Sequence, residues 1–97
     1  MKSRVLITLP LPTTVLEALK QQFELQVWDE GPMPTAQIAQ WAKTTDAILC
    51  SFGTPIRADL IGSNPQLSTI SSISVGVDHI DMAAATAARL PVGHTPD

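Results

Sequence analysis

A short apolar run, Val5-Leu6-Ile7-Thr8-Leu9, follows Arg4 and ends at Pro10. Runs of this length and composition are typical of strands that are buried on both faces of a parallel sheet. Proline has no backbone N–H to donate to a neighbouring strand, so Pro10 ends the predicted strand. The run Ala47-Ile48-Leu49-Cys50 has the same character and predicts a second buried strand.

The spacing of apolar residues between these strands predicts amphipathic helices. Thr14 and Glu17 stand three residues apart, as in a capping box. Leu16 and Leu19 then share one helical face, which predicts a helix over residues 15–22. The other predicted elements are strands at Leu25–Trp28 and Leu67–Ser74, a strand from Leu90, a helix capped by Thr35, a helical turn at Ala58–Ile61, and an alanine-rich helix over Met82–Arg89 capped by Asp81.

Strands that alternate with amphipathic helices predict βαβ units, whose crossovers are right-handed and whose strands form a parallel sheet. We therefore predict an α/β fold, a flavodoxin-like open parallel sheet with helices on both faces. Ligands of such sheets bind outside the carboxyl ends of the strands. Any site is expected where the loops at Leu9–Pro12, Ser51–Pro55 and Ser74–Asp78 converge.

Length and charge exclude several classes of protein. The chain has a net charge of -3 and 97 residues. This length allows one hydrophobic core, and therefore one domain or part of one. The scattered Lys and Arg residues and a pI near 5.1 predict no nucleic-acid partner. No apolar stretch reaches the roughly 18 residues of a membrane span, and the single cysteine predicts a reducing, cytoplasmic location.

Several common α/β sites are missing from the sequence. No two glycines stand two residues apart, so the dinucleotide fingerprint is absent. The carboxyl ends of the first and third strands carry no carboxylate, which excludes the magnesium site of a phosphoacceptor receiver domain. Cys50 and Ser51 have no base or nucleophile elbow beside them, and no Cys/His cluster has metal-ligand spacing. We therefore predict that Cys50 is a buried apolar side chain.

The segment Ser74–Asp81 follows the predicted fourth strand and contains the most informative residues. A glycine after a strand lets backbone N–H groups face a ligand such as a carboxylate, so Gly76 marks a candidate site. The alternative is a tight turn between strand and helix. His79 is either a proton donor or a residue that packs and hydrogen-bonds locally. Asp78 and Asp81 are spaced for capping, which favours a structural role.

Two stretches carry a resemblance to a known family. They are Gln66–Asp81, which includes Ser74-Val75-Gly76-Val77-Asp78-His79-Ile80-Asp81, and Arg89–Asp97, which ends in Thr95-Pro96-Asp97. Together they resemble the N-terminal part of D-isomer-specific 2-hydroxyacid dehydrogenases, and most closely the glyoxylate/hydroxypyruvate reductase branch. The likeness extends over nearly the whole chain.

The resemblance implies a substrate-binding, or catalytic, domain that packs across a cleft from a Rossmann domain. It implies that backbone amides of Val75 and Gly76 bind the carboxylate of a 2-oxo acid, and that Ser51, Phe52 and Gly53 close the pocket wall. It places the Rossmann domain, which binds NAD or NADP, beyond the last residue of this chain. The arginine, histidine and glutamate of the reaction are expected there too, so we predict no catalytic, cofactor-binding or metal-binding residue here.

Three hypotheses follow. The leading one is that the chain belongs to an NAD(P)-dependent reductase of glyoxylate or hydroxypyruvate, in which it holds the substrate carboxylate and is inactive alone. The second is a non-enzymatic flavodoxin-like module for ligand binding or for association with another chain. The third is pairing with a second copy into a homodimer, because an incomplete domain leaves apolar helix faces or a sheet edge uncovered.

Overall fold

A computed structural model describes residues 2–28, 33–51, 54–74 and 76–94, with positions 35 and 94 described by their backbone alone. Strands and helices alternate along the chain. In chain order, the elements are β1 (Ser3–Ile7), α1 (Thr13–Lys20), β2 (Phe23–Val27), α2 (Thr35–Ala42), β3 (Ala47–Ser51), α3 (Ala58–Gly62), β4 (Thr69–Ile73), α4 (Met82–Ala87) and β5 (Val92–His94).

Within the described ranges, the five strands form one sheet, and every pairing is parallel. The strand order β2-β1-β3-β4-β5 is that of flavodoxin-like sheets, which confirms the predicted fold class. The chain first moves from β1 to β2 and then crosses back past β1 to β3. The crevice between the carboxyl ends of β1 and β3 is therefore the topological switch point of the sheet.

Helices cover both faces of the sheet. Leu6, Ile48 and Ile70 lie on one face of the sheet and form a buried hydrophobic cluster. Buried side chains of α2, α3 and α4 belong to the same cluster. These three helices therefore pack on that face. The β1–α1–β2 crossover runs in the opposite direction, so its right-handed path places α1 on the other face, where it contacts β2.

The face that carries α1 is only partly covered. A hollow of about 240 Å³ beside α1 is lined mainly by apolar side chains, among them Val5, Leu25 and Leu49. Ser71 of β4 is exposed, and Ile73 at the end of the same strand has 47% of its surface exposed. The described part of the chain therefore leaves an apolar area on this face.

The starts of two helices differ from the prediction. α1 begins with Pro12 at its cap position, so Thr14 lies inside the first turn and no side chain caps the helix. The predicted capping box at Thr14 is therefore wrong. α2 has Pro34 at its cap position and Thr35 as its first residue, so the prediction that Thr35 caps it is also wrong. Proline suits both positions because its fixed φ is compatible with the extended backbone that precedes a helix.

The start of α4 is confirmed, and its end is shorter than predicted. The Asp81 carboxylate accepts a hydrogen bond from the N–H of Ala84 at 2.9 Å, as expected of a cap. The helix ends before Arg89, which adopts a left-handed φ of 56°. The N–H of Leu90 then donates to the carbonyl of Ala85 at 2.8 Å, which is the Schellman arrangement of a helix end.

Candidate functional site

The loops that follow β3 and β4 are joined at the carboxyl edge of the sheet. Ile56 and Ile80 are buried and form an isolated parallel bridge. The N–H of Ile56 donates to the carbonyl of His79, and the N–H of Asp81 donates to the carbonyl of Ile56, both at 2.8 Å. The bridge therefore holds the described parts of the two loops side by side.

Two of the predicted site residues lie at this edge within the described ranges. Ser51 is the last residue of β3, and it pairs in register with Ile73, the last residue of β4. Gly76 follows β4 and is exposed. The fold therefore brings Ser51 and the Gly76 loop to the same edge. Three further predicted residues, Phe52, Gly53 and Val75, lie outside the described residues.

Gly76 leaves its backbone open to approach. Apart from Gly76 and its two chain neighbours, no described residue has an atom within 4 Å of a Cβ atom built at this position, and the φ angle lies outside the left-handed region. The turn therefore does not require glycine for its conformation. What glycine provides is space beside the backbone, which a ligand that binds peptide N–H groups needs.

The charges beside this loop do not favour an anion. A neighbouring groove of about 410 Å³ is lined by three carboxylates, Asp59, Asp78 and Asp81, and by one guanidinium, that of Arg57. Three negative charges against one positive charge repel a carboxylate ligand. An anionic ligand at this edge would therefore depend on backbone N–H groups rather than on the groove.

His79 forms a local hydrogen bond rather than pointing alone into solvent. Its Nε2 lies 2.8 Å from the Oγ of Ser72, and Ser72 Oγ lies 2.6 Å from the Oγ of Ser74. Ser74 Oγ donates to the carbonyl of Gly76 at 2.7 Å. Partial burial lowers the pKa of His79, against the opposing effect of the Asp78 carboxylate. The lowered pKa favours the neutral imidazole.

Cys50 is buried, as predicted. Its side chain is fully inaccessible in β3, where it pairs in register with Ser72. Burial raises the pKa of the Cys50 thiol, an effect that a hydrogen bond with Ser72 partly offsets. A thiol that is protonated and inaccessible does not act as a nucleophile at neutral pH.

A pair of buried hydroxyls lies at the topological switch point. Thr8 follows β1, Thr54 follows the loop after β3, and their Oγ1 atoms are 2.8 Å apart. Both residues are buried, and the N–H of Thr8 also donates to the carbonyl of Leu49 at 3.0 Å. Two buried side chains of the domain therefore meet between the carboxyl ends of β1 and β3.

Two further absences concern the described part of the chain. None of its helices has the length and apolar character needed to cross a membrane. The described His, Cys, Asp and Glu side chains form no group of three that could hold a metal ion.

Comparison with known proteins decides the family. The sequence profile of the D-isomer specific 2-hydroxyacid dehydrogenase catalytic domain matches residues 5–97. The chain belongs to this family. Its similarity to a 2-hydroxyacid dehydrogenase domain thus extends over almost every residue, including the Gly76 loop and both ends of the sheet.

Individual relatives agree with this family. A glyoxylate reductase of Korarchaeum cryptofilum is 34% identical over 97 residues, which cover 99% of this chain and 29% of that protein. A solved protein of Thermus thermophilus is 31% identical with a TM-score of 0.89, over 96% of this chain and 30% of that one. The chain therefore spans about three-tenths of the length of these relatives.

A third relative carries ligands. An NADPH-dependent glyoxylate/hydroxypyruvate reductase from Sinorhizobium meliloti, solved in complex with NADP and malonate, is 25% identical with a TM-score of 0.70. The match covers 100% of this chain and 29% of the reductase. Members of the 2-hydroxyacid dehydrogenase family bind NAD or NADP, as the solved neighbours with these cofactors show.

Sequence reasoning missed two features of this edge. The hydrogen-bonded chain through Ser72 and Ser74 was visible only as a β-prone stretch rich in hydroxyls. The pairing of Thr8 with Thr54 had no signal in the sequence, because the two residues are far apart in the chain and meet only through the strand order.

Proposed function

We propose that this chain is the N-terminal segment of the substrate-binding domain of an NAD(P)-dependent oxidoreductase that reduces small 2-oxo acids, such as glyoxylate and hydroxypyruvate, to 2-hydroxy acids. The observation that carries the proposal is the open backbone at Gly76, at the carboxyl edge of the sheet. The substrate class is supported by relatives that are glyoxylate reductases or glyoxylate/hydroxypyruvate reductases.

The role of this chain in the proposal is to hold the substrate carboxylate. Backbone N–H groups of Val75 and Gly76 donate to the carboxylate, while Ser51, Phe52 and Gly53 form the adjacent wall of the pocket. Hydrogen bonds to a charged acceptor are roughly twice as strong as neutral ones. Correct alignment of reactants can lower a barrier by about 7 to 11 kcal/mol, so residues that only position the substrate still contribute to rate.

The cofactor is assigned to another part of the protein. The residues of this chain do not fit a dinucleotide by themselves, because the glycine fingerprint is absent and a buried threonine pair lies in the switch-point crevice. A Rossmann domain outside residues 1–97 is therefore proposed to bind NAD or NADP, together with the catalytic side chains. We place the whole enzyme in the cytoplasm.

The test compares two proteins in the same assay. The complete protein that carries this domain is mixed with glyoxylate or hydroxypyruvate and with NADPH or NADH, and loss of the reduced cofactor is followed by absorbance. We expect turnover with at least one pair, and none with the methyl ester of glyoxylate, which lacks the carboxylate. Residues 1–97 alone are expected to show no turnover. Turnover by the 97-residue chain would disprove the assignment of the chemistry to another domain.

The non-enzymatic module remains the competing hypothesis, and the same assay separates it from the enzyme. A complete protein that binds glyoxylate or malonate but oxidises neither reduced cofactor would favour the module.

The partly covered sheet face supports a proposal about partners. An exposed Ile73 beside an apolar hollow is an area that a second copy of the chain could cover in a homodimer. Size-exclusion chromatography with light scattering tests this, and a stable monomer at high concentration would count against it.

A further inference from the structure

Four residues after and within β4 form a continuous hydrogen-bonded chain, which we call the His79 chain. It runs from His79 Nε2 to Ser72 Oγ at 2.8 Å, from there to Ser74 Oγ at 2.6 Å, and from Ser74 Oγ to the Gly76 carbonyl at 2.7 Å. Ser72 is buried, and His79 and Ser74 are half-buried. The chain therefore connects a titratable ring to the backbone of the candidate site.

The direction of every hydrogen bond in the His79 chain follows from counting protons. A carbonyl oxygen can only accept, so the single hydroxyl proton of Ser74 is directed to Gly76. Ser74 Oγ must then accept from Ser72, whose own proton is thereby used, so the hydrogen bond between Cys50 and Ser72 is donated by the protonated thiol. Ser72 Oγ must in turn accept from His79, so Nε2 of the ring carries a proton. In the neutral ring, this is the Nε2–H tautomer.

The His79 chain fixes a peptide plane in the loop that holds Gly76. The carbonyl of Gly76 shares its plane with the N–H of Val77, so the bond from Ser74 restricts rotation about this plane. The next carbonyl, that of Val77, accepts from the N–H of Ile80 at 2.9 Å. Gly76 has no side chain of its own to limit its backbone, and apart from its two chain neighbours no described residue has an atom within 4 Å of a Cβ placed there. The anchor at its carbonyl fixes the peptide plane that follows Gly76, and it restricts the Gly76 N–H, which lies in the preceding plane, through the Cα atom that the two planes share.

We propose that His79 is a positioning residue: through Ser72 and Ser74 it orients the Gly76 backbone for binding the substrate carboxylate. This inference rests on the proposed function, because it assigns a purpose to the same site. His79 does not touch the substrate in this proposal and transfers no proton to it.

The charge state of the ring agrees with this role. Partial burial lowers the pKa of His79, which favours the neutral ring. The neutral Nε2–H tautomer can donate one hydrogen bond to Ser72, as the His79 chain requires.

The first experiment measures the tautomer. The complete protein is labelled with ¹⁵N in its histidines, and the His79 signals are those that disappear in His79→Gln. At a pH above the titration of the ring, we expect the nitrogen shifts and proton couplings of an Nε2–H ring. An Nδ1–H ring would overturn the inference, because the chain could not then run from His79 to Gly76.

The second experiment measures KM and kcat separately. In His79→Ala the KM for glyoxylate is expected to rise by about 3- to 10-fold, the scale of one hydrogen bond, while kcat changes little. Weaker binding of the carboxylate destabilises the ground state and the transition state equally, so KM rises while kcat stays the same. His79→Gln is the matched control, because its amide N–H₂ can reach the same position as Nε2–H. We expect His79→Gln to restore KM to within about twofold of the original value.

A double-mutant cycle tests whether His79 acts through Ser74. Ser74→Ala removes the last link, so adding His79→Ala to it is expected to raise KM no further. Additive effects on KM, or a failure of His79→Gln to restore it, would refute the positioning role. An original protein that reduces no 2-oxo acid would instead refute the proposed function. An active protein whose KM is unchanged by His79→Ala would refute only this inference.

Discussion

Gly76 allows a test that separates ligand binding from folding. The variants are Gly76→Ala and Gly76→Val, which add one and three carbon atoms to the backbone at the proposed carboxylate site. Because the φ angle of Gly76 is outside the left-handed region and no described residue beyond its chain neighbours has an atom within 4 Å of the new Cβ, Gly76→Ala should not strain the domain. Gly76→Val extends further into the same open space. Replacing glycine by alanine at such a position raises stability by about 0.4–1 kcal/mol, through the lower entropy of the unfolded chain.

The effect on binding should have the opposite sign. The added methyl group occupies the space through which a carboxylate reaches the Gly76 N–H. Loss of one hydrogen bond to a charged group costs about 1.5–3 kcal/mol, which corresponds to a rise in KM for glyoxylate of about 10- to 150-fold. Gly76→Val, with its branched side chain, should lie at the upper end of this range or beyond it.

The assay combines steady-state kinetics of the complete protein with urea unfolding of the same samples. Malonate, which is bound in the Sinorhizobium reductase, is added to the assay, and we expect it to compete with glyoxylate with an inhibition constant that rises in parallel with KM. A Gly76→Val protein with unchanged stability, KM and malonate inhibition would remove Gly76 from the site. A large loss of stability would show instead that the space beside Gly76 is not open.

Three further predictions concern the fold around the site. Thr8→Val leaves the buried hydroxyl of Thr54 without its partner and should lower the free energy of unfolding by about 1–3 kcal/mol. The double variant with Thr54→Val should recover most of this loss, and additive losses in urea unfolding would contradict the pairing. Burial raises the pKa of the Cys50 thiol, so as the pH rises the unfolded chain loses the thiol proton before the folded chain does. The free energy of unfolding should therefore fall as the pH rises through about 8.5. Unfolding measured on both sides of this pH should show the fall in the original protein and a smaller fall in Cys50→Ala. Arg89→Gly removes the strain of a side chain at a left-handed φ and should raise the free energy of unfolding by about 1 kcal/mol. Thermal or urea unfolding measures this change, and a lower free energy of unfolding would contradict it.

The strands and their arrangement were predictable because local pattern and topology agree. Continuous apolar runs such as Val5–Leu9 indicated strands buried on both faces, and the alternation with helices indicated right-handed crossovers. The observed β1, Ser3–Ile7, is shifted towards the N-terminus relative to that run. Ser3 and Arg4 pair with β2 although they are polar, because backbone pairing does not depend on apolar side chains.

The starts of α1 and α2 were less predictable because a capping side chain and a preceding proline competed at each of them. Thr14 offered a capping side chain, but Pro12 fixed the preceding backbone and the helix began before Thr14. At α4, Asp81 had no competitor and caps as predicted. The left-handed conformation of Arg89 could not be predicted from the sequence, because glycine and asparagine are the residues that normally adopt it at a helix end.

For the candidate site, the sequence indicated the loop but not its support. Gly76 was identifiable as a glycine after a strand, and Ser51 as the end of another. The hydrogen bonds of His79 with Ser72 depend on a turn that brings residues of a strand and a following loop together. Such contacts are set by tertiary geometry, for which spacing along the chain gives no rule.

The hydroxyl pair of Thr8 and Thr54 also limits which ligands can enter the crevice between β1 and β3. In flavodoxin itself, the switch point at β1 and β3 receives the flavin cofactor. Here a planar ring entering that crevice would have to separate two buried hydroxyls and leave each without a partner. The hydroxyl pair therefore braces this crevice, and the carboxylate site proposed at the ends of β3 and β4 lies one strand away from it.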